Sequence, residues 1–367
     1  MSVWKSRRIA LQIFGTMLLG ALLGQNTQAQ QLSASLANDP VTKLLGADVM
    51  AAAVKEGTLT WYGSSTSQDF LENGGKERFE KRFGIKINTV FAPLRNITDR
   101  LRTETAVGKV VADVFDGNDQ YMLELYDLGV LMKFRPPSPE LNRINPITFV
   151  REPEGYWSPV HLSAQGIIVN TRLADPKEIK SYWDLINPKF RGKIGIRDPR
   201  ASSGGAWHML NIYEQPGLGV DYIKKLQETV KPVIVGGSAD AMRDAVVRGQ
   251  FAIGFSGRGE NFRDLPKGAP LAWVVPTEGM AWTPSSLAIL KDAPHPNAAK
   301  VMLTWFFDVP QLQLWTDTGR PVPHPDVKVP VPEMSVSEYP LMVRIPDKHL
   351  AEPNFFFKEM EQIFGVR

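Results

Sequence analysis

The residues of this chain best suited to chemistry lie in the stretch Asp198–Gly205, which follows a strand-like apolar run and precedes a helix-like one. A strand is therefore predicted to end here at the N-terminus of a helix. The hydroxyls of Ser202 and Ser203 would converge there with backbone N–H groups, and Gly204 and Gly205 would let a ligand approach the backbone closely. Such a place suits a phosphate, a phosphonate or a carboxylate. No base lies beside the serines, which indicates binding rather than nucleophilic attack. The alternative is an ordinary connection in which Ser203 is the N-cap of the helix.

The elements that must position these groups alternate along the chain as strand-like and helix-like runs, which is the pattern of a parallel α/β protein. Ligands of such sheets collect beyond the carboxyl ends of the strands, so polar residues that follow predicted strands are candidates for binding. These candidates are Ser64 and Ser65 after residues 58–62, Arg95 after 85–91, Asn118 after 112–115 and Arg258 after 251–255. For Arg95, the alternative is a solvated surface charge.

The N-terminal segment has the pattern of a secretory signal. Lys5, Arg7 and Arg8 precede a mostly apolar run over residues 9–23, and small residues follow at 27–29. We therefore expect residues 1–29 to be removed on export to the periplasm, so that the mature chain begins near residue 30. An uncleaved anchor is the alternative, but a membrane span needs about 20 apolar residues and this run is shorter.

The composition of the chain excludes several classes of partner and of chemistry. The chain has 42 Lys and Arg against 39 Asp and Glu. Three of the positive charges fall in the predicted signal, which leaves the mature chain formally neutral. It has no basic stripe with interleaved aromatic residues, so no nucleic-acid partner is expected. The complete absence of cysteine excludes disulfides, thiolate nucleophiles and a lipid anchor on an N-terminal cysteine. The expectation is a freely diffusing periplasmic monomer.

Two lobes joined by a hinge are predicted from the order of the runs. Residues 166–170 look like a strand that leaves the first lobe, and residues 285–290 would rejoin its sheet. Two connections between two lobes favour a cleft that closes around a small ligand. The predicted limits are 30–164 for the first part of lobe 1, 165–275 for lobe 2, and 276–367 for the return to lobe 1 and the C-terminal tail. A closing amphipathic helix is predicted within that tail, over residues 354–363.

Five groups of segments are weak family markers one by one, but their order and spacing along the chain are specific when they are taken together. They are Gly57–Tyr62, Ala112–Phe115, Tyr182–Leu185 with Lys189–Lys193, Asp198–Gly205 and Ala293–Lys300. Together they resemble the extracellular solute-binding proteins of ABC importers, and within them the ferric-ion-binding branch. The resemblance covers residues 57 to 307. It implies an α/β, type 2 periplasmic-binding fold, capture of a solute in a hinged cleft, and delivery to permease transmembrane subunits served by a cytoplasmic ATPase.

The chain departs from the ferric pattern at the positions that hold the metal. In that branch two adjacent tyrosines follow the strand that matches residues 251–255, whereas Ser256–Phe262 contains no tyrosine. The first loop, which often carries a histidine in that branch, here holds Ser64 and Ser65. Arg258 would repel a metal ion and attract an anion. No metal or other cofactor is therefore expected.

The sequence thus predicts a binding protein for a small anionic or zwitterionic organic solute, such as a phosphonate, a sugar phosphate or a carboxylate. Glu278 matches a cleft segment of many relatives, where it could accept from an ammonium or a sugar hydroxyl, or could belong to the hinge. A ferric-ion-binding protein and a ligand-dependent partner of a sensor are the alternatives. No catalytic residue is predicted, because none of the five histidines has the spacing of a triad or a metal cluster.

Overall fold

The computed structural model describes Leu32 and residues 35–144, 154–262, 265–266, 268–336 and 338–366. The predicted signal at residues 1–29 lies outside the described residues. Within the described part, no helix combines the length and the apolar character needed to cross a bilayer.

The secondary structure follows the predicted alternation. The helices are α1 Pro40–Leu45, α2 Ala47–Glu56, α3 Ser65–Phe70, α4 Lys76–Phe83, α5 Leu94–Ala106, α6 Asp119–Asp127, α7 Gly204–Glu214, α8 Gly219–Val230, α9 Ala239–Val247, α10 Pro296–Phe306, α11 Val309–Asp317, α12 Asp347–Ala351 and α13 Asn354–Phe364. The strands are β1 Thr58–Gly63, β2 Lys86–Phe91, β3 Val114–Asn118, β4 Ser158–Asn170, β5 Ile194–Arg197, β6 Val233–Val235, β7 Ile253–Gly257, β8 Leu271–Val274 and β9 Ala281–Ile289.

The chain forms two compact units. Of the described residues, the first unit comprises those up to Phe115 together with Val130–Leu141 and Ala288–Asp308. The second comprises the described residues of Asp116–Gly129, of Asn142–Leu287 and from Val309 onward. The predicted lobe limits at 30–164, 165–275 and 276–367 divide the chain at other points, and they stay a prediction.

A parallel sheet forms the centre of the first unit, in which β1 pairs with both β2 and β3. Aromatic side chains fill its core, with ring centroids 5.1 Å apart for Phe70 and Phe306 and 5.3 Å apart for Phe79 and Trp305. The carboxyl ends of parallel neighbours meet at one edge of a sheet, so the residues that follow β1 and β2 share that edge.

In the second unit, neighbouring strands run in the order β9, β4, β7, β5, β6. The strand β4 is antiparallel to β9 and β7, whereas β5 is parallel to β7 and to β6. The carboxyl ends of β5, β6 and β7 therefore lie at one edge of this sheet. The predicted C-terminal helix is confirmed as α13, whose Phe356 and Met360 are buried in the core of this unit.

Candidate functional site

Two arginines meet at the edge of the second unit where β5, β6 and β7 end. Arg197 is the last residue of β5, Gly237 follows β6, and Arg258 follows β7 directly. The Nε of Arg197 donates to the carbonyl oxygen of Gly237 at 3.3 Å. We call Arg197, Gly237 and Arg258 the arginine edge.

Hydrogen bonds hold the Arg258 end of this edge to the start of α9. The backbone N–H of Arg258 donates to Oδ1 of Asn261 at 2.8 Å, and Nδ2 of Asn261 donates to Oδ1 of Asp240 at 2.8 Å. Asp240 also accepts from Nη1 of Arg243 at 3.2 Å. The Asp240 carboxylate thus accepts hydrogen bonds from two side chains next to the arginine edge.

Arg197 is held in an unusual electrostatic setting. Its Nη1 is buried and has no hydrogen-bond partner among the described residues. Burial and the positive charge of Arg258 lower the pKa of Arg197 to about 10, with Asp240 acting in the opposite direction. The guanidinium also lies against the first turn of α7, where the helix dipole is positive. Asp240 is already bonded to Asn261 and Arg243. A partly buried cation beside a second cation and a helix N-terminus is therefore a setting that favours an anion.

The glycine pair at the start of α7 makes room for this arginine. A Cβ atom on Gly204 would overlap the Arg197 guanidinium, and one on Gly205 would stand 2.5 Å from the backbone oxygen of Arg197. The sequence predicted that these glycines would let a ligand approach the backbone. In the structure, the space that their missing side chains leave is occupied by Arg197.

The serines beside the glycines have different surroundings. The Oγ of Ser203 accepts from the backbone N–H of Ala206 at 3.1 Å and donates to the carbonyl oxygen of Asp198 at 2.7 Å. Ser203 is thus the N-cap of α7, the alternative that the sequence left open. Ser202 is exposed. That Ser202 and Ser203 contact a ligand stays a prediction.

A polar face of β4 lies in the same sheet. The Nδ1 of His161 accepts from the indole Nε1–H of Trp315 at 3.0 Å. Gln165 lies four residues further along the strand and therefore on the same face, and its Oε1 is buried with no partner among the described residues. Sequence reasoning missed Arg197, His161 and Gln165. For His161 and Gln165, the available signal was the alternation of polar residues at positions 161, 163 and 165.

In the first unit, the predicted residues cap helices or lie at the surface. The Oγ of Ser64 accepts from the N–H of Thr66 at 3.3 Å as the N-cap of α3, and Ser65 is exposed. Arg95 is half exposed, and its Nη1 lies 3.9 Å from Oδ1 of Asp99. These three residues stay predictions as ligand contacts.

The two remaining predicted residues, Asn118 and Glu278, accept hydrogen bonds from other residues of the second unit. The Oδ1 of Asn118 accepts from the N–H of Tyr121 at 3.4 Å, as the N-cap of α6. Glu278 accepts from the hydroxyl of Ser181 and, at 3.2 Å, from the N–H of Tyr182. The Glu278 carboxylate thus anchors the turn at Ser181. As a ligand contact or as a hinge residue, Glu278 stays a prediction.

His208 and Tyr182 form a buried pair in the second unit. The Oη of Tyr182 is 2.9 Å from Nε2 of His208, and the imidazole stacks on Phe255 with ring centroids 5.6 Å apart. Burial, together with the charge of Arg197, lowers the pKa of His208 to about 3, and burial raises the pKa of Tyr182 far above its ordinary value. Both side chains are neutral core groups.

The neutral state of His208 predicts acid sensitivity. Its native pKa of about 3 lies below the unfolded value of 6.5, so the stability it contributes is present above pH 6.5 and is lost as the pH falls towards 3. At pH 5 one such histidine costs about 2 kcal/mol of unfolding free energy. Denaturant unfolding of the wild type at pH 7.5 and 5.0 measures this loss together with that of His161, whose pKa is also lowered by burial.

The pH dependence, rather than the absolute stability, identifies His208 as the cause. The variant His208→Gln should lose about 2 kcal/mol less than the wild type between the two pH values. Burial raises the pKa of Asp119 to about 6, although the charge of Arg344 lowers it. Protonation of Asp119 therefore stabilises the folded protein as the pH falls, and it does so equally in the wild type and the variant. Equal losses in the wild type and the variant would show that His208 is not the acid-sensitive group.

The chain is similar to a known protein family and to other known proteins. Residues 76–342 match the family model described as bacterial extracellular solute-binding protein. An uncharacterised protein of Haemophilus influenzae is 29% identical over 274 residues, which are 71% of this chain and 75% of that protein.

Two solved structures share the fold. The periplasmic binding protein AfuA from Actinobacillus pleuropneumoniae, with fructose-6-phosphate bound, superposes with a TM-score of 0.66 at 22% identity, over 85% of this chain and 99% of AfuA. The protein IdiA (FutA) of Trichodesmium, in complex with iron and citrate ligands, gives a TM-score of 0.68 at 19% identity, over 85% of this chain and 100% of IdiA. These similarities confirm the predicted α/β periplasmic-binding fold.

Proposed function

This chain belongs to the bacterial extracellular solute-binding proteins, the solute-binding components of ABC importers, and on that premise we propose that it captures a small anionic organic solute at the arginine edge. Proteins of this family bind solutes and are not enzymes. The proposed ligand is a phosphate monoester, a phosphonate, a carboxylate or a zwitterion that carries one of these groups. The protein then delivers it to the transmembrane subunits of a permease.

The observation that carries the proposal is the buried Nη1 of Arg197, which has no partner among the described residues and lies beside a second cation. Leaving a buried charged donor unsatisfied is costly, so the arrangement favours a state in which an anion occupies it. Charge-assisted hydrogen bonds from guanidinium to phosphate or carboxylate oxygens are strong and directional.

Iron is the competing ligand, because one protein of the same fold is solved with iron and citrate. Fe(III) prefers several hard anionic oxygens, and phenolate is the typical protein donor. Here the last residue of β7 is Gly257 and the next is Arg258, and neither is a tyrosine. The Oη of Tyr62 donates to Glu104 at 2.7 Å, and Tyr182 is buried against His208. These observations favour an organic anion over the metal.

Calorimetric titration of the purified protein tests the proposal. The panel contains fructose-6-phosphate, phosphonoacetate and citrate as anions, with fructose, putrescine and Fe(III) as the matched neutral and cationic probes. We expect at least one anion to bind with the protein kept in a chelator, and fructose and putrescine to give no heat. Binding of Fe(III) or putrescine, with no binding of any anion, would overturn the proposal.

Export to the periplasm is the second part of the proposal. The predicted signal at residues 1–29 leads us to expect a mature chain that begins near residue 30 and is recovered from the periplasmic fraction as a monomer. Edman sequencing of that fraction, with size-exclusion chromatography, measures both properties. Recovery of the full-length chain in the membrane fraction alone would contradict this expectation.

A further inference from the structure

We propose that His161 is a ligand-contacting residue, whose Nε2–H donates a hydrogen bond to the anion bound at the arginine edge in the tautomer that Trp315 sets. The proposal rests on the proposed function. It adds a donor on β4 that lies outside the loops where ligand contacts were predicted.

The contact with Trp315 determines where the imidazole carries its proton. An indole N–H is a donor only, so the histidine nitrogen that it reaches must accept. That nitrogen is Nδ1, at 3.0 Å. A neutral imidazole then holds its single proton on Nε2. Trp315 is itself fixed, because its side chain is fully buried.

The surroundings keep this imidazole uncharged. His161 is 3% exposed, and burial with the positive charges of Arg320 and Arg258 holds the pKa of His161 well below its ordinary range. The histidine is therefore a neutral donor next to two cations. In the antiparallel pair of β4 with β7, Gly166 lies opposite Gly257, so the part of β4 that carries Gln165 lies beside Arg258. The charge of Arg258 acts on both His161 and Arg197.

The proton on Nε2 has no other use in the described part of the chain. The hydrogen bond that His161 makes with a described residue is the one at Nδ1, so its Nε2–H is left available for an acceptor oxygen. A donor surrounded by arginines fits an acceptor oxygen of an anion.

Gln165 adds the complementary group. It lies on the His161 face of β4, and its buried Oε1 needs a donor that the described residues do not supply. A solute that carries a hydroxyl beside its anionic group satisfies both side chains, because its acceptor oxygens face His161 and its hydroxyl faces Gln165. The inferred ligand class is therefore a hydroxylated anion.

Variants of His161 test the contact with fructose-6-phosphate, citrate and inorganic phosphate as the probes. His161→Met removes the donor and should weaken binding of the probe that the wild type binds by about ten- to a hundredfold. His161→Gln places a carboxamide N–H near the position of Nε2 and should restore most of that loss. Trp315→Phe frees the tautomer and should weaken binding less than His161→Met does.

Histidine side-chain ¹⁵N spectra give a readout that a packing role would not move. The signal of His161 should show an Nε2–H tautomer without ligand, and its Nε2–H resonance should shift on saturation with the bound probe. Unchanged affinity in His161→Met, equal losses in His161→Met and His161→Gln, or an unmoved Nε2–H resonance would each overturn the proposal while leaving the proposed function intact. If the wild type binds none of the three probes and none of the other anions, both proposals are overturned.

Discussion

Replacing Arg197 and Arg258 together by methionine is expected to weaken anion binding by a factor of about 10² to 10⁴. Each arginine would give the anion a charge-assisted hydrogen bond, worth about 1.5–3 kcal/mol, and the two losses add if the side chains act independently. Methionine keeps much of the side-chain volume and removes the charge. Calorimetric titration of the double variant and of each single variant with the anion bound by the wild type measures the losses.

The stability of the ligand-free variant separates binding from folding. Arg197→Met loses the bond of about 1 kcal/mol to Gly237, but it also removes a partly buried cation that Arg258 repels. We therefore expect the unfolding free energy without ligand to change by less than about 1 kcal/mol. The exposed Arg172, in the same unit, provides the matched control Arg172→Met, which should bind normally. Wild-type affinity in the double variant would remove both arginines from the site.

Gly205→Ala is expected to lower the unfolding free energy by about 1–3 kcal/mol and to weaken anion binding as well. The new Cβ would stand 2.5 Å from the Cβ and from the backbone oxygen of Arg197, so the start of α7 and the end of β5 must separate. This separation would displace Arg197 from its place in the arginine edge. Denaturant unfolding and calorimetric titration of the same variant measure the two effects.

Gly236→Ala is the matched control for this substitution. Gly236 follows β6 at the same edge, and a Cβ there would have no atom within 4 Å. Its φ is not in the left-handed region, so alanine is free of backbone strain. We expect wild-type stability and affinity in Gly236→Ala. A Gly205→Ala protein as stable as this control would show that the close packing of α7 on β5 is not required.

Periodicity and turn residues were sufficient to predict most of the fold from the sequence. The apolar runs at 58–62, 85–91 and 251–255 correspond to β1, β2 and β7. The strand β7 begins two residues after the start of its run, and the two residues before it, Phe251 and Ala252, are buried. The parallel order followed from the alternation of strands with helices. The limits of the two units could not be predicted in this way, because they depend on contacts between segments that are far apart in the chain.

The candidate site was predicted only in part. The sequence placed Arg258 after a strand, and the structure has it at the carboxyl end of β7. Arg197 was missed because it is the last residue of its strand, and nothing in a sequence shows that two glycines seven and eight residues later will pack against it. His161 and Gln165 were missed because β4 was predicted to start at residue 166, whereas the strand begins at Ser158.

Native mass spectrometry of the protein, purified without refolding and dialysed against a strong chelator, tests the central claim most directly. Anion binding that uses arginines rather than a metal should survive chelation, because the chelator removes iron and leaves the guanidinium contacts unchanged. We predict a fraction of molecules that carry one small organic anion and no iron, and the loss of this species in the Arg197 and Arg258 double variant. An iron adduct before dialysis that chelation removes, with no organic anion bound on its own, would contradict the account.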